Sequence, residues 1–308
     1  MIVGQTGNSV VVYRFDKGGS ISPRRVYFEP APLPSVLLAH SHESDEMELD
    51  AFRDAIEGYG YPVFYSKAHW PRDRYFHHNG FYVTAAPGRR AGEGGGLVSG
   101  AGFILTNEGF AGKDAAGLLS NLFGVRVEVA GSLASVYGKG TIRDHTDMHA
   151  NHLPVSGISV IARRWYENNP EWFDGYFSRS ADRVVFVSDE DDDTYAANFP
   201  VLPHPGHGEV AIVNNINGKL IQDLRKEGVE VGIPNEPFTD RLKFQGGMRC
   251  SCNTFHGPEV LDAMGITYYE NGNDAYEGDM SHFFLKDFLR ALAEESAYYF
   301  DNRPRFVG

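Results

Sequence analysis

Four short clusters bring together residue types that can do covalent chemistry. The run Gln245-Gly246-Gly247-Met248-Arg249-Cys250-Ser251-Cys252-Asn253 holds both cysteines of the chain. A thiolate is a strong nucleophile. Arg249 beside Cys250 would favour ionisation, and the two glycines would let a substrate approach closely. The blander reading, a small buried hydrophobe, suits Cys252 well. The run Asp144-His145-Thr146-Asp147-Met148-His149, with His152 beyond it, offers acid–base groups and possible ligands. As a strand it would project His145, Asp147 and His149 to one face. As a helix it would align His145, His149 and His152, a set that could hold zinc together with a cysteine. Histidines satisfied by nearby carboxylates are the plain alternative. Trp70-Pro71-Arg72-Asp73-Arg74 places Asp73 on a loop or strand start, because Pro71 resists helix. Taken alone, Asp73 reads as a surface ion pair with a flanking arginine. Glu93-Gly94-Gly95-Gly96 could aim Glu93 into a pocket or form a flexible surface loop, and it lacks the lysine and Ser/Thr of a phosphate-binding loop.

The elements that must position these groups read as strands and helices in alternation. Strands are expected at 10–15, 36–39, 63–65, 80–84, 102–106, 125–129, 158–161, 183–187, 210–213 and 229–232, mostly rich in β-branched or aromatic residues and bounded by turn formers. Helices are expected at 44–57, 113–122, 217–226 and 281–298, with another proposed near 171–178. In the first, Leu49, Phe52, Ala55 and Ile56 share one face. The alternation has no clean break, which favours a single α/β domain over 1–308. Gly80–Thr84 and Gly102–Thr106 look alike, but two short matches do not establish a repeat.

Composition narrows the function classes. The 308 residues carry a formal net charge of −13, which disfavours nucleic-acid binding and suits a cationic small molecule. Two cysteines one residue apart make no disulfide framework. No secretory leader and no membrane-length apolar run is evident, so a cytoplasmic location without membrane association is expected. The acidic run 189–193 reads as a solvated turn. His77, His78, His204 and His207 read as loop histidines, and 281–298 as a helix packed on the core that could serve a homo-oligomer.

Together the clusters supply a nucleophile, a histidine and more carboxylates than a serine-type triad needs. A planar guanidinium pairs with carboxylates in bidentate fashion and accounts for the surplus. In order and wording the motifs resemble the guanidino-group-modifying superfamily, the pentein enzymes that include arginine deiminase, agmatine deiminase, dimethylargininase and the amidinotransferases. Trp70–Asp73 resembles their Trp-x-Arg-Asp, Glu93-Gly94-Gly95 their Glu-Gly-Gly hairpin, His145-Thr146-Asp147 their His-x-Asp, and Arg249-Cys250 the segment of their terminal nucleophile.

The resemblance implies an α/β pentein propeller of five ββαβ units around a pseudo-fivefold axis. It implies Cys250 as nucleophile, His145 as proton shuttle, Asp73 and Asp147 as guanidinium ligands, and Glu93 orienting His145 or touching the substrate. No metal and no cofactor is implied. Gly96, Arg74, Asp144 and Arg249 depart from the family pattern and leave the substrate open. A deiminase-type hydrolase is expected. An amidinotransferase or dihydrolase on the same fold is an alternative, as are a non-catalytic pentein and a metal-dependent hydrolase built on Asp144, His145, His149 and His152.

Overall fold

The computed structural model describes residues 8–15, 21–39, 46–66, 70–85, 94–110, 113–138, 145–180, 182–243 and 246–270. Glu93, Asp144 and the expected helix at 281–298 lie outside them. Among the described residues no helix is long and apolar enough to cross a membrane.

The described residues are α/β, with five small sheets among them, none closed. Three repeat one pattern. Val98–Gly100 pairs antiparallel with Phe103–Asn107, which runs through helix Lys113–Phe123 to the parallel strand Arg126–Ala130. Ala150–Leu153, Ile158–Ala162, helices Arg163–Asn168 and Pro170–Ser180, and Arg183–Val187 repeat it. So do Val201–His204, Gly208–Ile212, helix Gly218–Lys226 and Glu230–Gly232. The other two sheets depart from a plain ββαβ unit by drawing on distant parts of the chain. Cys252–Phe255 pairs antiparallel with Ser35–Ala39, which is followed by helix Glu46–Glu57 and the parallel strand Val63–Ser66. Tyr75–His78 pairs with Phe81–Ala85, whose parallel neighbour is Ser9–Phe15.

Local chemistry explains the pattern. The middle strands Ile158–Ala162 and Phe103–Asn107 are buried at every position, as expected for strands covered on both faces. Gly102 and Gly157 adopt positive φ (78° and 62°) in the turns before them, a region side chains disfavour. The crossover helices each lay one apolar stripe on a sheet. Helix Gly218–Lys226 buries Leu220, Ile221 and Leu224, each contributing about 1.5–3 kcal/mol, and it ends on Arg225 and Lys226, which complement its C-terminal dipole. Helix Glu46–Glu57 buries Leu49, Phe52 and Ile56 as read from sequence, with Ala55 partly buried.

All ten strands read from sequence are present, as the middle or parallel strand of a sheet. Every strand missed is antiparallel. Five of these, Tyr75–His78, Val98–Gly100, Ala150–Leu153, Val201–His204 and Cys252–Phe255, are the lead strand of each sheet. Together they line one cleft of about 700 Å³.

Candidate active site

Each lead strand is preceded by a tight segment, and the chemistry-bearing clusters lie on four of these five segments. Pro71–Asp73 forms a 3₁₀ turn ahead of Tyr75, and Gly94–Gly96 forms another ahead of Val98. Thr146–His149 is a single helical turn ahead of Ala150, with His145 at its N-cap. Residues 195–199 precede Val201, and 247–251 precede Cys252.

Hydrogen bonds join the five segments into a ring. The Arg72 N–H donates to the Cys250 carbonyl (3.3 Å), and the Cys250 N–H donates to Asn198 Oδ1 (3.2 Å). Asn198 Nδ2 donates to the Asp147 carbonyl (3.0 Å), and the Thr146 hydroxyl donates to the Gly96 carbonyl (2.7 Å). The Gly95 N–H closes the ring on Asp73 Oδ1 (3.4 Å). Asn198 went unnoticed in the sequence, where it is one asparagine among small and aromatic neighbours. Its place ahead of a lead strand is the only signal that marks it.

The glycine run is close packing and not a flexible surface loop. A Cβ on Gly95 would fall 2.5 Å from His145 Nδ1 and 2.9 Å from Asp147 Oδ1. One on Gly247 would fall 2.4 Å from Asn198 Oδ1. The glycines beside Cys250 therefore admit side chains of the protein itself.

Of the expected site residues, Asp73, His145, Asp147 and Cys250 are gathered here, all buried, while Glu93 lies outside the described residues. The Cys250 thiol lies 3.7 Å from Met148 Sδ, on the same helical turn as Asp147. Burial pushes this thiol well above its ordinary range, and the charges of Asp147 and Asp73 push it the same way. Arg249 and Cys250 attract, as the sequence suggested, but burial and the two carboxylates outweigh that pull and hold the thiol up. Arg249 also donates Nη1 to Asn151 Oδ1 (2.5 Å).

Asp147 has 0% of its surface exposed, and neither carboxylate oxygen accepts a hydrogen bond. Burial raises its pKa against the pull of Arg249, Arg72 and His145. The nearest ionic contact is loose, 3.6 Å from Oδ2 to Arg72 Nε. Arg72, read as a surface partner of Asp73, is buried and donates Nη2 to the Leu97 carbonyl (2.8 Å).

The histidine cluster follows neither geometry weighed from sequence. The helical turn ends at His149 and a strand begins at Ala150, so the histidines diverge. His149 Nδ1 meets Asp192 (2.9 Å) and stacks on Tyr137, whereas His152 Nε2 meets Asp182 (3.1 Å). No group of three or more His, Cys, Asp or Glu among the described residues could hold a metal ion. The acidic run is not wholly solvated either. It forms the short helix Asp189–Asp192, capped by Ser188, and Asp192 is buried against His149 and Tyr137. His77 and His78 belong to a strand, with burial depressing both, His78 to about 4. Cys252 is buried in the apolar cluster of Val36, Phe52 and Met248, its thiol pushed up to about 12 by burial.

No family model and no curated protein matches the sequence. Solved structures do. DDAH from Pseudomonas aeruginosa, complexed with citrulline, is 11% identical over 73% of this chain and 100% of that one, with a TM-score of 0.52. The dimethylarginine dimethylaminohydrolase adduct with 4-chloro-2-hydroxymethylpyridine is 12% identical over 72% of this chain and 100% of that one, with a TM-score of 0.52. The product-bound N-terminal domain of ArgZ, an arginine dihydrolase from the ornithine–ammonia cycle in cyanobacteria, is 15% identical over 73% of this chain and 98% of that domain, with a TM-score of 0.51. The match spans 40% of the longer ArgZ chain. Identities this low speak to architecture alone, and on that ground the chain has the fold of the pentein enzymes that modify guanidino groups.

Proposed function

We propose that the chain is a cysteine hydrolase of a guanidino compound, with Cys250 as nucleophile, His145 as proton shuttle, and Asp73 and Asp147 as the seat of the guanidinium. Glu93 is assigned to orienting His145 or touching the substrate. One observation carries this reading. A fully buried carboxylate, Asp147, has two oxygens without hydrogen bonds in the same cluster as Cys250 and Asp73. A buried acceptor left unmade costs about 1–3 kcal/mol. A planar fork of N–H donors carrying positive charge satisfies both oxygens at once.

The electrostatics tie binding to activation. The field of Asp147 and Asp73 helps keep Cys250 protonated, and a guanidinium bound between them cancels that field. The thiol proton then passes to His145, and the thiolate adds to the guanidinium carbon. His145 returns the proton to the departing nitrogen, leaving an amidino-thioether. Water, deprotonated by the same imidazole, attacks that carbon, expels the thiolate and releases a ureido product.

A panel of guanidino compounds, free arginine and agmatine included, tests the reading when assayed for ammonia, ureido product and released amine. Turnover of at least one compound by the intact chain and none by Cys250→Ser is expected. Ammonia in excess of the ureido product would show a second hydrolysis, and transfer to an added amine would show an amidinotransferase. An intact chain inert to the whole panel overturns the proposal.

A further inference from the structure

The cleft lined by the five lead strands is not lined by Cys250, Asp73, Asp147 or His145. Arg72 and Arg249 line it instead. Its volume of about 700 Å³ falls within the range of small-molecule sites. Its walls include Phe28, Phe255 and Tyr82 and several prolines.

The charge balance of this cleft is opposite to that of the chain. The protein carries a net charge of −13, yet among the described residues lining the cleft two are arginines and one is a carboxylate. That carboxylate, Glu209, accepts the backbone N–H groups of Val155 (3.1 Å) and Ser156 (2.7 Å). Arg249 spends Nη1 on the neutral Asn151. Its pKa falls to about 10, through burial first and the charge of Arg72 second. Arg72 leaves its buried Nε without a hydrogen bond, and so does the buried His152 at Nδ1, another residue of the lining. Among the described residues, two guanidinium groups thus share one loosely placed carboxylate, Asp147. Burying a charge without a close partner is costly, and an incoming anion would offset that cost.

We propose that this cleft is a second binding site, for an organic anion whose carboxylate or phosphate headgroup rests on Arg249 and Arg72 while an apolar body lies along the proline and aromatic walls. The site works whether or not Cys250 is catalytic.

Isothermal titration calorimetry of the full chain carrying Cys250→Ser tests it, with benzoate, phenyl phosphate, inorganic phosphate and the neutral isostere benzamide as probes. Benzoate or phenyl phosphate should bind at least tenfold more tightly than benzamide, and the stronger of the two identifies the headgroup. Inorganic phosphate should bind more weakly than phenyl phosphate, because it lacks the apolar body. Arg249→Gln should weaken the anions at least tenfold. Val155→Glu, at a lining position that is 64% exposed, puts a negative charge on the cleft without disturbing the core. It should weaken them severalfold at low salt and much less at high salt. Benzamide binding as tightly as the anions, or anion affinity unchanged in Val155→Glu at low salt or in folded Arg249→Gln, overturns the proposal.

Discussion

Two regions on either side of one ionic contact carry opposite charge. On one side Asp73 and Asp147 surround Cys250, and on the other Arg72 and Arg249 line the cleft. The partition is the Arg72–Asp147 contact, in which both side chains are almost wholly buried. The same two residues therefore serve both regions. Asp147 leaves both carboxylate oxygens without a hydrogen bond, and the Arg72 Nε that faces it at 3.6 Å is likewise unbonded. Net charge says little about such a molecule, since what a ligand meets is the local balance at the end it approaches.

Removing the sulfur gives the largest contrast between the two regions. Cys250→Ser should lower guanidino turnover by about 10⁴-fold or more, as loss of a covalent nucleophile does, while anion binding in the cleft stays at the parental level. Steady-state kinetics and calorimetry on one preparation check both halves. Loss of both together would mean that the two regions are a single site.

Breaking the partition comes next. Arg72→Met leaves Asp147, among the described residues, with Arg249 and His145 to offset its charge. Loss of one member of a buried pair typically costs about 3–5 kcal/mol, so a drop of that size in urea unfolding is expected. A change below about 1 kcal/mol would show that the 3.6 Å contact carries no structural weight.

How much of this was legible in the sequence follows the same division. The strands buried on both faces announced themselves, because runs such as Phe103–Asn107 and Ile158–Ala162 must be β-branched or aromatic to fill two apolar layers. The lead strands did not. His77, His152, His204 and Asn253 face the cleft, so these strands are polar, short and without a hydrophobic period. The site residues Asp73, His145, Asp147 and Cys250 were found through their wording as motifs, although nothing in their spacing showed that they would meet. Asn198 had no such wording. Its role arises from fold geometry, since it bridges Asp147 and Cys250, 51 and 52 positions away along the chain. Arg72 and Arg249 were seen, as surface or thiolate partners or as cations for a substrate carboxylate, but their burial was not, because burial cannot be read from a charged residue's type.

A subtler test uses Asp147 against its own side of the partition. Burial and then the Asp147 charge hold the Cys250 thiol above its ordinary range. Asp147→Asn removes the repulsion, lowers the thiol pKa and should speed iodoacetamide alkylation of Cys250 severalfold while turnover falls. The two effects have opposite signs, which a general loosening of the site would not give to the same degree in a variant that keeps its melting transition. The raised thiols also make stability pH-dependent. Folding favours protonated Cys250 and Cys252, so their contribution is complete below the free-thiol value of 9.0 and is lost as pH rises through the folded values, about 12 for Cys252.

The smallest effect joins the two regions. A guanidinium seated against Asp147 is repelled by Arg72 and Arg249, both of which act on that carboxylate. An anion bound in the cleft offsets those two charges without touching the guanidinium, so it should tighten guanidino binding. Because the carboxylate lies between and the separation weakens the effect, the coupling should fall below about fivefold, at the low end of allosteric couplings. Linkage then demands reciprocity: the guanidino ligand must tighten the anion by the same factor. Calorimetry on Cys250→Ser, titrating each ligand with and without saturating amounts of the other, measures both factors. A weakening in either direction would place the anion on the thiol side of Arg72, where it would compete with the substrate for the same seat.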